Sequence, residues 1–154
     1  MKKTLLILSL CLALGTVGMA QDYTTGVGVR AGLGQGLTVK HFLGEKTAVE
    51  GIAVRRYQGF LVTGLYEIHS PAFDVSRLHW YYGVGGHVGF WDPDNTPFTG
   101  DSSTVIGVDL VLGIEYNIEE LPINVGIDWK PAFNLVGYTG WWGDNGAFSV
   151  RFIF

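Results

Sequence analysis

Ala147-Phe148-Ser149-Val150-Arg151-Phe152-Ile153-Phe154 alternates with a period of two. Phe148, Val150, Phe152 and Phe154 fall on one side of an extended strand, and Ala147, Ser149, Arg151 and Ile153 fall on the other. A free aromatic edge of this kind invites pairing with another chain. A closed barrel in lipid has no free edge, and this stretch points to one. The pattern recurs along the chain, so strands are expected at 23–33, 37–43, 47–57, 60–69, 78–90, 104–116, 122–130 and 146–154. Segments of about 9–11 residues match the tilted span of a membrane barrel. Pro131 cannot donate to a ladder and marks a rim or bulge, and 137–145 reads as the last loop. The expected fold class is all-β, an eight-stranded antiparallel up-and-down transmembrane β-barrel.

The chain opens with Lys2 and Lys3, an apolar run from Leu5 to Leu14, and Gly18-Met19-Ala20 before Gln21. A basic start, a short apolar core and a small-x-small end form a cleavable secretory signal over residues 1–20. The run falls short of the roughly 20 residues that a spanning helix needs. Cys11 lies inside it, so the barrel domain, 21–154, is expected to carry no cysteine and no disulfide. Of 10 basic residues, Lys2 and Lys3 leave with the signal; 8 remain against 14 acidic, a net charge of −6. That balance disfavours nucleic acid as a partner. Hydrophobic residues make up 47% of the chain, charged residues 16%, and glycine occurs 23 times. Many glycines in short alternating segments suit a closed sheet better than a helical protein.

Alternation alone does not tell the lumen from the outside, because a soluble lipocalin-like barrel alternates with the opposite sense. Glycine discriminates. Gly26, Gly28, Gly32, Gly83, Gly85, Gly89, Gly107, Gly113 and Gly126 share the polar faces, and only Gly51, Gly64 and Gly86 share the apolar ones. Small residues belong in the crowded middle of a narrow barrel. The apolar rows, such as Ile106-Val108-Leu110-Leu112-Ile114 and Ile123-Val125-Ile127-Trp129, are therefore expected to meet lipid. Aromatics near segment ends form two girdles: Tyr23, Tyr66, Trp80, Tyr82, Tyr116 and Phe154 at one rim, Tyr57, Phe60, Phe90, Trp91, Trp129 and Phe148 at the other.

The inward rows carry Arg30, Lys40, Arg56, Lys130 and Arg151 against Glu50, Glu67, Asp109, Glu115 and Asp128. Charges in a narrow lumen need partners, so these ten are expected to form an ion-pair network that plugs the barrel. The other reading of the same residues is the selectivity lining of a narrow channel for ions or small solutes.

With an even strand number both termini share one end, and the long loops 91–103 and 137–145 face outward. Asp92, Asp94 and Asp101 make the first acidic and rich in oxygen, but it lacks the spacing and closing Glu of a calcium loop. It reads as a solvated loop, and no metal or other cofactor is expected. Trp141 and Trp142 in the second are expected as outward contacts for a surface ligand or at headgroup level. His41 and His69 lie near the end that holds the termini, and His79 and His87 face inward eight residues apart, too far for one metal. His69-Ser70 is adjacent in sequence but at the wrong rim for lipid-modifying chemistry, so no catalytic residue is assigned and the protein is not read as an enzyme.

The segment Gly126-Ile127-Asp128-Trp129-Lys130-Pro131-Ala132-Phe133-Asn134, the stretches Leu65-Tyr66-Glu67 and His87-Val88-Gly89-Phe90-Trp91, and the terminal Ser149 to Phe154 resemble the small eight-stranded outer-membrane barrels, like OmpX and the transmembrane domain of OmpA. The resemblance implies residence in the outer membrane of a Gram-negative bacterium as a monomer. It implies contact with outer-membrane lipid and lipopolysaccharide, and insertion by the barrel-assembly machinery through Phe154. The function expected is that of an integral outer-membrane barrel with a structural or surface-interaction role.

Overall fold

A computed structural model describes residues 23–56, 59–91, 104–137, 139–142 and 146–154. The expected signal segment, Tyr57 and most of the acidic loop, with Asp92, Asp94 and Asp101, lie outside them. Ten strands are present: β1 Thr25–Gly32, β2 Gln35–Phe42, β3 Thr47–Arg56, β4 Gly59–Pro71, β5 Leu78–Phe90, β6 Thr104–Asn117, β7 Ile123–Trp129, β8 Ala132–Val136, β9 Gly140–Trp142 and β10 Gly146–Ile153. Neighbours in sequence pair antiparallel from β1 to β7, β8 pairs with β6 and β9, and β10 pairs with β7 and with β1 to close the sheet. β7 with β8 forms one wall and β9 with β10 another, so the barrel is eight-stranded. No helix among the described residues is long and apolar enough to cross a membrane.

Pro131 behaves differently from its expected role at a rim. The register of β6 against β7, Gly113 opposite Asp128, continues unchanged to Asp109 opposite Ala132 in β8. The wall therefore runs straight through Lys130 and Pro131. Proline removes one donor, and its carbonyl still accepts the Leu110 N–H at 2.9 Å. The irregularity comes later, between Ile106 and Gly107. The expected last loop is correspondingly shortened, because Gly140–Trp142 pairs with β8 as a strand.

The chain ends are tied into the seam. Phe154 O accepts the N–H of Thr24 at 3.1 Å and of Thr25 at 2.9 Å, and Phe154 N donates to Thr25 O at 2.9 Å. All the turns between Leu43 and Thr47, Ala72 and Leu78, and Ile118 and Ile123 lie at this end.

The apolar rows face out. Ile127 is 58% exposed and Phe152 55%, whereas Arg151 is 0% exposed. A lipocalin-like sense, apolar inside, is overturned by this arrangement. The outward positions of the described strands carry one Lys, Arg, Asp or Glu, Arg55, which lies at the rim away from the termini. Two aromatics leave the girdles expected for them. Tyr23 and Trp91 turn inward and are buried. Both sit just beyond a strand end, where pairing no longer dictates the side, and each covers one mouth of the barrel.

Glycine positions explain how the strands close so tightly. A Cβ on Gly28 would strike the Val150 carbonyl oxygen of β10, and one on Gly113 would strike the Tyr81 ring. At the outward Gly51 and Gly64 a Cβ would meet nothing within 4 Å. Gly28→Ala is expected to cost about 1–3 kcal/mol through overpacking against backbone. Gly51→Ala is expected to be neutral or to stabilise by about 0.5 kcal/mol. Urea unfolding midpoints of the two variants in detergent micelles check the contrast.

Candidate functional site

Among the described residues, buried polar and charged groups gather in the interior of the barrel. Its charged residues lie in three layers, and the alternation along the strands turns them inward. Nearest the termini, Lys40 of β2 lies 2.8 Å from Glu67 Oε2, 3.1 Å from Glu115 Oε2 and 3.6 Å from Glu50 Oε2. Arg151 of β10 reaches Glu50 Oε1 at 2.5 Å and Glu115 Oε2 at 3.8 Å. It also donates to Asn124 Oδ1 at 3.0 Å, and Asn124 Nδ2 donates to Asn117 Oδ1 at 2.7 Å. Thr38 donates to Glu50, and Tyr23 donates its hydroxyl to Glu115 Oε1 at 3.0 Å. His69 Nε2 stands 3.0 Å from Glu67 Oε2.

The second layer pairs Arg30 of β1 with Asp128 of β7 through both carboxylate oxygens. This fork-to-fork contact fits a planar guanidinium. Tyr81 donates its hydroxyl to Asp128 Oδ2 at 3.0 Å. The Tyr81 ring carries Lys40 Nζ 3.9 Å from its centroid and stacks on His69 at 4.9 Å. Beside this layer Ile52, Leu65, Tyr81 and Val111 form a buried apolar belt on the inner side of β3 to β6.

The third layer joins Lys130 and Asp109, with His87 Nδ1 2.6 Å from Asp109 Oδ2 and its Nε2 2.9 Å from Asn134 Oδ1. Above it, Leu61, Trp91 and Val105 form a second apolar cluster, with Trp142 packed against it. Arg56 lies over the Trp142 ring at 5.2 Å.

Nine of the ten charged residues singled out in the sequence are thus buried and brought into contact inside the barrel, and Arg56 is half-buried at the mouth. Trp142, expected as an outward contact in a loop, lies in β9 with its ring turned toward Trp91 and His87. Trp141 lies in the same strand and is exposed on the outer wall. The alternation of a three-residue strand accounts for the split. Sequence reasoning over charges passed over the two apolar layers, Thr38, Asn124 and the central Tyr81. Parity was the available signal: Tyr81 sits between two outward aromatics, Trp80 and Tyr82. No group of His, Cys, Asp and Glu that could hold a metal occurs among the described residues.

Chemically, this arrangement braces the barrel. Among the described residues its carboxylates pair with cations across the lumen. Comparisons with family models, curated proteins and solved structures gave no match to this chain.

The layer nearest the termini makes the sharpest prediction. Removing Arg151 leaves Glu50, Glu67 and Glu115 facing Lys40 as their one close ammonium or guanidinium partner. Arg151→Met is expected to cost about 3–5 kcal/mol, and Arg151→Met with Glu50→Met to recover most of that loss, because an uncompensated buried charge is worse than an apolar pair. Urea-gradient unfolding in micelles measures both.

Proposed function

We propose that this protein is an integral outer-membrane barrel with a structural and surface-interaction role, its lumen closed by ion pairs and apolar layers. The observation that carries the proposal is the inversion of the ordinary soluble pattern. Charges occupy the inside, and the outward rows between the rims are apolar around the whole girth. In water such a wall would be a very large exposed apolar surface. In a bilayer it is the required one.

Strand length supports the same reading. β5 has 13 residues, which at roughly 3.3 Å each extend about 43 Å. Tilted by about 45°, that rises about 30 Å, enough to cover an apolar band about 25 Å tall. Outward aromatics flank the band. Trp80 and Tyr82 stack at 5.4 Å toward the end with the termini, and Phe60 pairs across strands with Phe90 toward the other. Arg55 at that far rim faces outward, where the phosphates of lipopolysaccharide would meet a cation. Phe154, fixed in the seam with its ring beside Phe152, suits recognition by the barrel-assembly machinery. The loops that close the far end are the parts left to contact other molecules.

The cluster of Ile52, Leu65, Tyr81 and Val111 and that of Leu61, Trp91 and Val105 favour a plug over a channel, since each packs apolar groups into the lumen from the walls β3 to β6. The protein is expected to stay in the membrane pellet after alkaline carbonate extraction and to need detergent for release. Release into buffer alone would end the membrane reading. In planar bilayers it is expected to give no discrete conductance steps. Steps that change size on substituting Arg151 or Asp128 would replace the plug with the channel.

A further inference from the structure

Two carboxyl groups of the layer nearest the termini meet each other. In the β3–β4 ladder Glu50 stands opposite Leu65 and Ala48 opposite Glu67. The two glutamates are therefore diagonal neighbours on paired strands, close enough for long side chains to touch. Both are buried, and their carboxyl groups lie within hydrogen-bonding distance of each other.

The donors around them serve one oxygen of each. Thr38 and Arg151 donate to Glu50 Oε1. Lys40 Nζ and His69 Nε2 lie 2.8 Å and 3.0 Å from Glu67 Oε2. Glu50 Oε2 and Glu67 Oε1 are buried with no hydrogen-bond partner among the described residues. An ammonium has three protons to give. Those of Lys40 go to Glu67 Oε2, to Glu115 Oε2 at 3.1 Å and to the face of the Tyr81 ring. Glu50 Oε2, at 3.6 Å, is too far for a hydrogen bond. Arg151 turns its other nitrogens to Asn124 and Thr38. The hydroxyls of Tyr23 and Tyr81 go to Glu115 and Asp128, and Arg30 is paired with Asp128. His79, opposite Glu115 in the β5–β6 ladder, is half-buried toward the mouth. None of these donors is aimed at either bare oxygen.

Two ionised carboxylates in contact repel, and each bare oxygen lacks the donor that burial demands. One proton placed between them removes both faults and makes a charge-assisted O–H to oxygen bond. We propose that Glu50 and Glu67 form a buried proton-binding site, in which one proton taken from water as the barrel closes is bound to Glu67 Oε1 and donated to Glu50 Oε2. Glu50 is the partner that stays ionised, because the Arg151 guanidinium and the Thr38 hydroxyl already hold its other oxygen. His69 is the rival seat. A proton on its Nδ1 would lie 3.6 Å from Glu115 Oε1, beyond a hydrogen bond, and would leave both bare oxygens as they are. The proposal rests on the packing of the interior alone, so it stands or falls apart from the membrane reading.

Infrared spectroscopy reads the proton directly. The full chain, labelled with ¹³C-glutamate and folded in micelles, is expected to show a carboxylic-acid carbonyl band at neutral pH that moves with the label, where exposed glutamates are ionised. Glu67→Gln sets an amide N–H where the proton sits. It is expected to abolish the band and to fold with an unfolding midpoint no lower than that of the parent. Glu50→Gln is expected to abolish the band as well, because its amide then donates to Glu67. Glu119→Gln, in an exposed turn, is expected to leave it in place. A proton bound only by the folded chain also makes folding depend on pH. The folding constant of the parent, relative to Glu67→Gln, is expected to fall about ten-fold per unit rise in pH between about pH 6 and 8. Absence of the labelled band, a band that survives both glutamine variants at positions 50 and 67, a ratio of folding constants that ignores pH, or an imidazolium at His69 in ¹⁵N spectra at neutral pH would each overturn the proposal. Should Glu67→Gln not fold, the labelled band and Glu50→Gln decide the matter.

Discussion

The seam between β1 and β10 is the constraint on which the molecule depends. Seven residue pairs, from Gly26 opposite Ile153 to Gly32 opposite Ala147, join the first strand to the last. Once they join, every strand has one face in a narrow enclosed space and one face outside. Side-chain alternation then stops being a local preference and becomes a global assignment. A slip of one residue in any strand would send its charges out and its valines in. Gly28 shows how close the seam is drawn, since even a methyl group there would collide with the backbone of β10.

Enclosure also sets the chemistry of the interior. A carboxylate held away from water is tolerable only with a cation and donors around it. Glu50 has Arg151, Lys40 and Thr38, and Asp128 has Arg30 and Tyr81. The partners come from strands far apart in sequence. Arg30 and Asp128 are 98 residues apart and Arg151 and Glu50 are 101. The network therefore ties together strands distant in sequence, and Lys40 with Glu115 and Arg151 with Glu50 brace walls that do not touch through the ladder.

Ion pairs do not fill the lumen by themselves. Between and above the charged layers lie Ile52, Leu65 and Val111, then Leu61, Val105 and Trp91. Apolar groups from β3 to β6 thus share the lumen with the paired charges. Tyr81 joins the two kinds of layer. Its ring packs in the belt and carries Lys40 on its face, and its hydroxyl meets Asp128.

Much of this was legible in the residues. Period-two alternation established strand after strand, and the bias of glycine toward polar faces told inside from outside, because a narrow barrel crowds only its lumen. The ten inward charges follow from the same parity. Their pairing does not, since which cation reaches which carboxylate depends on stagger and tilt between strands far apart in sequence. Pro131 misled for a related reason. Its missing donor reads locally as a break, yet the β6 ladder holds its register across it through the proline carbonyl. Trp91, Trp142 and Tyr23 lie at or beyond strand ends, where alternation loses its authority and packing against the mouths of the barrel decides. Local pattern thus determined the barrel and its sidedness, because a two-residue repeat needs no distant information. The partners of each charge and the caps were decided only when the walls closed around a shared space.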